Sequence, residues 1–311
     1  MTSLRPQTSK AIRIAVIGDV HDQWEPADSA ALAQLKVDLA LFVGDFGNEA
    51  VEVVRAIAAL DLPKAAVLGN HDAWFSATEW GRKKCPYNRQ LEDRVQQQLD
   101  LLGVAHVGYS KLELPWLNLT VVGGRPFSWG GSKWKHVADF YQQRYSIDSL
   151  AASTAYLRSQ VEQANHETII FVGHCGPAGL GADPEAPCGK DWNPVGGDYG
   201  DPDFAAAIAL AQQRGKQVPL VTFGHMHHRL RHRQDRLRQR LVQDAAGTVY
   251  LNAASVPRII KSETTCLRNF SLVVVEQGEV VEASLVWLDE TLAIASQEVL
   301  YSRPVTSLSV G

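Results

Sequence analysis

The stretch Ile12-Arg13-Ile14-Ala15-Val16-Ile17-Gly18-Asp19-Val20-His21 runs from an apolar segment into a glycine and then into carboxylate and imidazole donors. The same order returns at Leu39-Ala40-Leu41-Phe42-Val43-Gly44-Asp45 and at Ala65-Ala66-Val67-Leu68-Gly69-Asn70-His71. Near-continuous apolar runs of this length read as strands buried on both faces. Between them, 29–36 and 50–60 have helical texture, so the first seventy residues predict βαβ units around a largely parallel sheet. In such folds ligands gather beyond the carboxyl ends of the strands, where loops distant in sequence converge.

Further along, the pattern predicts a helix near 90–102, a strand at 119–122, a helix at 150–164 and a strand at 168–172. Beyond a helix at 204–213 the texture changes, and 218–223, 249–251, 271–275 and 280–287 read as strands joined mostly by turns. The expectation is a mainly antiparallel sheet stacked on the first one. No repeat or linker divides the chain, which reads as a single domain over residues 1–311. Residues 176–203, rich in Gly, Pro and Asp, form an insertion too long for a simple connector. It reads either as a wall or lid beside a site or as a surface insertion packed on itself.

With 45% hydrophobic and 21% charged residues, the chain has the composition of a folded globular protein and not of a disordered one. The net charge of −4 supplies no global positive field for nucleic acid or an anionic membrane, which speaks against both as partners. The apolar runs fall short of the roughly 20 residues of a membrane span. Residues 1–10 lack the apolar core of a secretory signal. The expectation is a soluble protein of the cytoplasm or an equivalent reducing compartment. Four cysteines without a C-x-x-C pair argue against a disulfide framework or a zinc knuckle. Cys175, beside a candidate ligand, reads as a packing residue before it reads as a nucleophile.

Five motifs close predicted strands: Gly18-Asp19-Val20-His21, Gly44-Asp45-Phe46-Gly47-Asn48-Glu49, Gly69-Asn70-His71-Asp72, Gly173-His174 and Gly224-His225-Met226-His227. One alone would be a cap or a satisfied polar group, but five in one chain are not explained that way. The ordered set resembles the calcineurin-like metallophosphoesterase superfamily over roughly residues 11–255. That resemblance implies a four-layer α/β/β/α sandwich of two mixed sheets, and a dinuclear centre that hydrolyses phosphate diesters or monoesters. It places Asp19, His21 and His227 on one ion and Asn70, His174 and His225 on the other, with Asp45 between them. Carboxylate, imidazole and amide donors suit Mn²⁺, Fe or Zn²⁺, of which Mn²⁺ is favoured. Two cations about 3.5–4 Å apart hold a hydroxide between them while clamping a phosphoryl oxygen. His71 resembles the family's catalytic histidine, which contacts a phosphoryl oxygen or protonates the leaving group. Asp72 beside it reads as a cap for a following helix ahead of a catalytic group.

Where the protein phosphatase branch continues its second motif with Asp-Arg, this chain has Asn48-Glu49. The change removes a positive charge and puts a carboxylate nearby. Phosphoproteins then fit poorly, a phosphorylated small molecule or nucleotide fits better, and diesters are expected to compete well with monoesters. Arg125, Trp192, Arg229 and Arg231 are candidate substrate-binding residues. The arginine run from 229 to 240 reads as a polar hairpin or, in part, as a phosphate site. Trp24, Trp74, Trp129 and Trp134 are core residues or stacking walls. His228 is expected to face away from its neighbour His227, since adjacent strand residues point oppositely. His106, His136, His166 and His232 read as structural. The stretch 189–203 also resembles a branch of the superfamily from cyanobacteria and plastids. Two other readings stay open: a scaffold that keeps the fold for protein binding, and a nuclease, which the net acidity disfavours.

Overall fold

The computed structural model describes residues 11–304. Strands β1 (Ile12–Ile17), β2 (Leu39–Phe42) and β3 (Lys64–Ala66) run parallel and open the first sheet. Strands β4 (Lys111–Leu114), β5 (Leu119–Gly123), β6 (Thr168–Val172), β7 (Leu220–Phe223), β8 (Leu241–Gln243) and β9 (Val249–Asn252) build the second, in the order β4-β5-β6-β7-β9-β8. Its four central strands are parallel and its two edges antiparallel. Strands β10 (Ile259–Lys261), β11 (Cys266–Glu276), β12 (Glu279–Leu288) and β13 (Ile294–Ser302) then return to the first sheet, where β11 lies antiparallel to β1. The helices are α1 (Pro26–Leu35), α2 (Val51–Ala58), α3 (Glu79–Lys83), α4 (Arg94–Leu102), α5 (Ala138–Tyr145), α6 (Leu150–Glu162) and α7 (Pro202–Gln213).

The two-residue period of the strands sorts side chains into layers. Ile14 and Val16 of β1, Leu39 and Leu41 of β2, Val121 of β5, Ile170 and Val172 of β6 and Leu251 of β9 share one buried cluster, the seam between the sheets. Their neighbours Ala15, Ile17, Ala40, Phe42, Val122, Ile169, Phe171 and Tyr250 point outward into a second cluster with Leu32, Ile57, Leu157 and Ala207 of the helices. The result is the expected α/β/β/α sandwich of two mixed sheets. Among the described residues no helix is long and apolar enough to cross a membrane.

The last third departs from its expectation. Strands β7 and β9 do not start an antiparallel sheet; they continue the parallel order of β6. Apart from the short edge strand β8, the antiparallel strands of this third are β10 to β13, and they widen the sheet that β1 began. Apolar content alone cannot tell these destinations apart. Local chemistry also moves two helix starts upstream of their expected positions. Pro26 takes the first turn of α1, with Glu25 and Asp28 forming a capping box, and Pro202 opens α7.

Beneath α1, the buried carboxylate of Asp28 meets two buried guanidinium groups, Arg258 at 2.9 Å and Arg268 at 3.1 Å. They tie the helix to β11 and to the loop before β10. Removing one partner of a buried ion pair leaves an uncompensated charge, which costs about 3–5 kcal/mol. Asp28→Ala is therefore expected to lower the urea unfolding free energy by about that amount. A change below about 1 kcal/mol would mean the guanidinium groups find water instead.

Candidate metal centre

The loops after β1, β2, β3, β6 and β7 meet at one end of the sandwich, and Asp45 ties several of them together. Its backbone carbonyl accepts from Val20 N (3.0 Å) and His21 N (2.7 Å) of the β1 loop. Its Oδ1 accepts from His71 N of the β3 loop at 2.8 Å. The β7 loop is held in turn by Asp19, whose two carboxylate oxygens accept from His225 N at 3.1 Å each. Asp45, His21 and His225 all have positive φ (51°, 45° and 65°). Left-handed backbone is costly for non-glycine residues and persists where surrounding bonds over-determine it. Gly69 leaves room for this packing, because a Cβ there would lie 2.3 Å from Asp45 Oδ1.

The seven expected ligands form two adjoining groups. In one, His174 Nε2 lies 2.9 Å from Asn70 Oδ1, 3.2 Å from His225 Nδ1 and 3.3 Å from Asp45 Oδ1. In the other, His227 Nε2 lies 3.2 Å from both Asp19 Oδ2 and His21 Nε2. Asp45 Oδ2 stands 3.9 Å from His21 Nε2. The two oxygens of Asp45 thus face different groups.

The chemistry of this donor set fits a cation. His174 donates its Nδ1 proton to Val43 O at 2.8 Å, which aims its Nε2 at an amide oxygen, a carboxylate oxygen and another imidazole nitrogen. Lone pairs at such distances repel unless a positive charge sits among them, and a backbone carbonyl behind the ring is the usual orienting partner of a ligating histidine. Burial, together with neighbouring His174, pushes His225 down to about 3, which keeps it neutral and able to ligate. Burial works to raise Asp19, but the hydrogen bond from His227 and the nearby imidazoles outweigh it and hold the carboxyl well below its usual range. Asp19 is ionised at neutral pH.

His71 stands beside the groups and is held from two sides. Its Nδ1 pairs with Asn48 Oδ1 at 2.6 Å, and its ring stacks on Trp74 with centroids 4.4 Å apart and planes at 16°. The sequence signal for the stack was spacing: His71 to Ala73 form a 3₁₀ turn, in which residues three apart eclipse. Asn48, which stands where the protein phosphatase branch has Asp, therefore orients the His71 ring. Glu49 does not face the site as expected. It is buried, accepting from Phe75 N at 2.8 Å and from the Tyr87 hydroxyl. Asp72 is not a helix cap; it accepts from Gly69 N (2.6 Å) and Phe46 N (2.8 Å) and joins the β2 and β3 loops.

A cavity of about 350 Å³ opens over the ligands, lined by Asp45, Asn70, His71, His225 and His227 on its floor. Trp192, Arg229 and Arg231 line its wall, as expected, and so do Trp74 and Trp129. The insertion therefore contributes to the site. Arg238, indistinguishable in sequence from the rest of its run, pins it by donating to Pro184, Ala186 and Gly189 carbonyls and pairing with Asp191 at 3.2 Å. Arg125 is elsewhere. It is buried between Asp201 (2.5 Å) and Asp203 (3.4 Å) at the start of α7, so it cannot reach substrate. Trp24 packs on Phe42 and Trp134 on Tyr141. His228 turns away to Asn252 O, but it lies in the loop after β7 and not on a strand, so the alternation rule is not the cause. The Cys175 thiol is buried against Ser128 O, and burial pushes it up; its Sγ also lies within 4.8 Å of ligand nitrogens of His174 and His225.

Comparison with known proteins places these features in context. The calcineurin-like phosphoesterase family profile matches residues 12–229, more than half of the chain. No curated protein matches. Among solved structures, the fold is similar to TT1561 of Thermus thermophilus (12% identity, TM-score 0.46), covering 94% of this chain and 100% of that one. A hypothetical protein from the same organism is similar at 16% identity and TM-score 0.46, with 90% and 100% covered. A metallophosphoesterase from Sphaerobacter thermophilus is similar at 15% identity and TM-score 0.35, with 85% and 84% covered.

A cation that binds only the folded chain stabilises it by mass action, about 2.7 kcal/mol at a concentration 100 times its dissociation constant. Mn²⁺ is expected to raise the thermal midpoint, EDTA to reverse the rise, and His174→Ala to diminish it. An unchanged midpoint across a full Mn²⁺ titration would contradict the fit of the donor set.

Proposed function

Because the chain belongs to the calcineurin-like phosphoesterase family, we propose that it hydrolyses phosphate monoesters or diesters with two divalent cations, Mn²⁺ favoured over Fe or Zn²⁺. Asp19, His21 and His227 would hold one, Asn70, His174 and His225 the other, and Asp45 would serve both. The observation that carries this reading is the division of Asp45. Oδ1 faces His174 at 3.3 Å and Oδ2 faces His21 at 3.9 Å, so one carboxylate addresses two imidazole groups.

Bound ions supply Lewis acidity, charge neutralisation and activation of water at neutral pH. The chain's own residues do the rest. Asn48 accepts from Nδ1 of His71, which leaves Nε2 free; in the imidazolium form that nitrogen would donate to a phosphoryl oxygen or protonate the departing oxygen. Trp74 fixes the ring plane. An amide in place of a carboxylate orients the imidazole without setting another negative charge beside an incoming phosphate. Burial lowers the His71 imidazole below its ordinary value.

Metal-reconstituted protein is expected to turn over p-nitrophenyl phosphate or bis-p-nitrophenyl phosphate, and inactivity on both would refute the hydrolase reading. Asp45→Ala is expected to lose both ions in elemental analysis of the purified variant; a full complement would refute the shared carboxylate. His71→Asn is expected to keep the metal and lose about 10²–10⁴-fold in kcat, the usual worth of a positioned acid. Loss of metal with unchanged turnover per bound ion would make His71 a ligand instead.

A further inference from the structure

Six arginines crowd residues 229–240, and the structure separates them into two kinds. Arg233 pairs with Glu185 and Asp235, Arg236 with Asp235, Arg238 with Asp191, and Arg240 with Glu298. Among the described residues, the Arg229 and Arg231 guanidinium groups have no carboxylate partner, and these two line the cavity over the candidate ligands. Arg238 lines the same cavity, but Asp191 matches its charge at 3.2 Å, so Arg229 and Arg231 are the two cavity arginines left unpaired.

A third cation lies beside them. Lys190 is only 8% exposed and has no carboxylate partner among the described residues. Its ammonium lies 5.7 Å from the Trp192 ring and 5.8 Å from that of Tyr199. Arg231 also sits 5.7 Å from the Trp192 ring. Trp192 therefore serves less as a base-stacking wall than as the surface on which two cations are held, since an aromatic face attracts and orients them.

We propose, resting on the phosphoesterase reading above, that Arg229, Arg231 and Lys190 around Trp192 form a second anion subsite. The substrate would carry a second phosphate beyond the one hydrolysed, as a phosphoanhydride or bisphosphorylated small molecule does. Two consequences of the geometry agree with this. Glu49 is turned away into the interior, and Asp191, the carboxylate that lines the cavity beside the arginines, is paired with Arg238 at 3.2 Å. A cavity of about 350 Å³ is at the small end of ligand sites, about 300–1,000 Å³, which suits a small polyanion. The substrate class thus shifts from the simple diesters favoured by the sequence to polyphosphorylated small molecules.

The test is calorimetric titration of the Mn²⁺-loaded full chain with inorganic phosphate and with methylenediphosphonate, neither of which it can hydrolyse as an ester. Methylenediphosphonate is expected to bind at least about tenfold tighter, a charge-assisted hydrogen bond being worth about that factor. R229A/R231A is expected to bring the two affinities near parity. R236A, whose guanidinium is paired outside the cavity, is expected to keep the preference. Equal affinities in the wild type, or a preference retained by R229A/R231A, would overturn the subsite. Wild-type turnover of p-nitrophenyl phosphate and bis-p-nitrophenyl phosphate, measured alongside, tests the hydrolase reading separately: inactivity on both with the binding preference intact would refute that reading alone.

Discussion

The arrangement of the site depends on one residue, Asp45, held in a left-handed conformation at the end of β2. Its carbonyl accepts two amides from the β1 loop, and its carboxylate accepts one from the β3 loop. A residue at a strand end that spends both its backbone and its side chain on neighbouring loops fixes their separation to within a hydrogen bond. The strain at φ 51° is tolerable because these bonds over-determine it. With the loops so fixed, the remaining freedom of that carboxylate is to present its oxygens to two sets of imidazoles. Fold and chemistry meet in the same group.

A second layer of polar residues keeps that group in place. Asp72 joins the β2 and β3 loops through two backbone amides, and Val43 O orients His174 from behind. Asn48 and Trp74 confine His71 from different directions. None of these needs to touch a substrate. Each removes a rotamer or a backbone alternative from a residue of the site, which is how a site built on five loops acquires the precision of one built on rigid elements.

Much of this was legible in the sequence, and for an identifiable reason. Strand ends announce themselves by an apolar run, a glycine and a polar residue, and ligands there need only the strand assignment to be placed. All seven expected donors come together. Arg125 fitted the same local pattern, yet its partners Asp201 and Asp203 lie 76 or more residues away, and no local signal connects them. Glu49 likewise looked like a charge beside the site until its hydrogen bonds turned it into the interior. The destinations of the C-terminal strands were illegible for a related reason: β9 and β11 are similarly apolar, and only tertiary pairing sends one to each sheet. Contacts of long sequence separation, not propensities, account for each of these misses.

The central claim is the proposal that one carboxylate, that of Asp45, would serve two cations. Electron paramagnetic resonance during a Mn²⁺ titration of the whole chain tests it most directly, because two Mn²⁺ ions sharing a carboxylate are exchange-coupled. The account predicts that binding saturates at two equivalents and that the spectrum becomes that of a coupled pair. Saturation at one equivalent, with the six-line spectrum of an isolated ion, would contradict it.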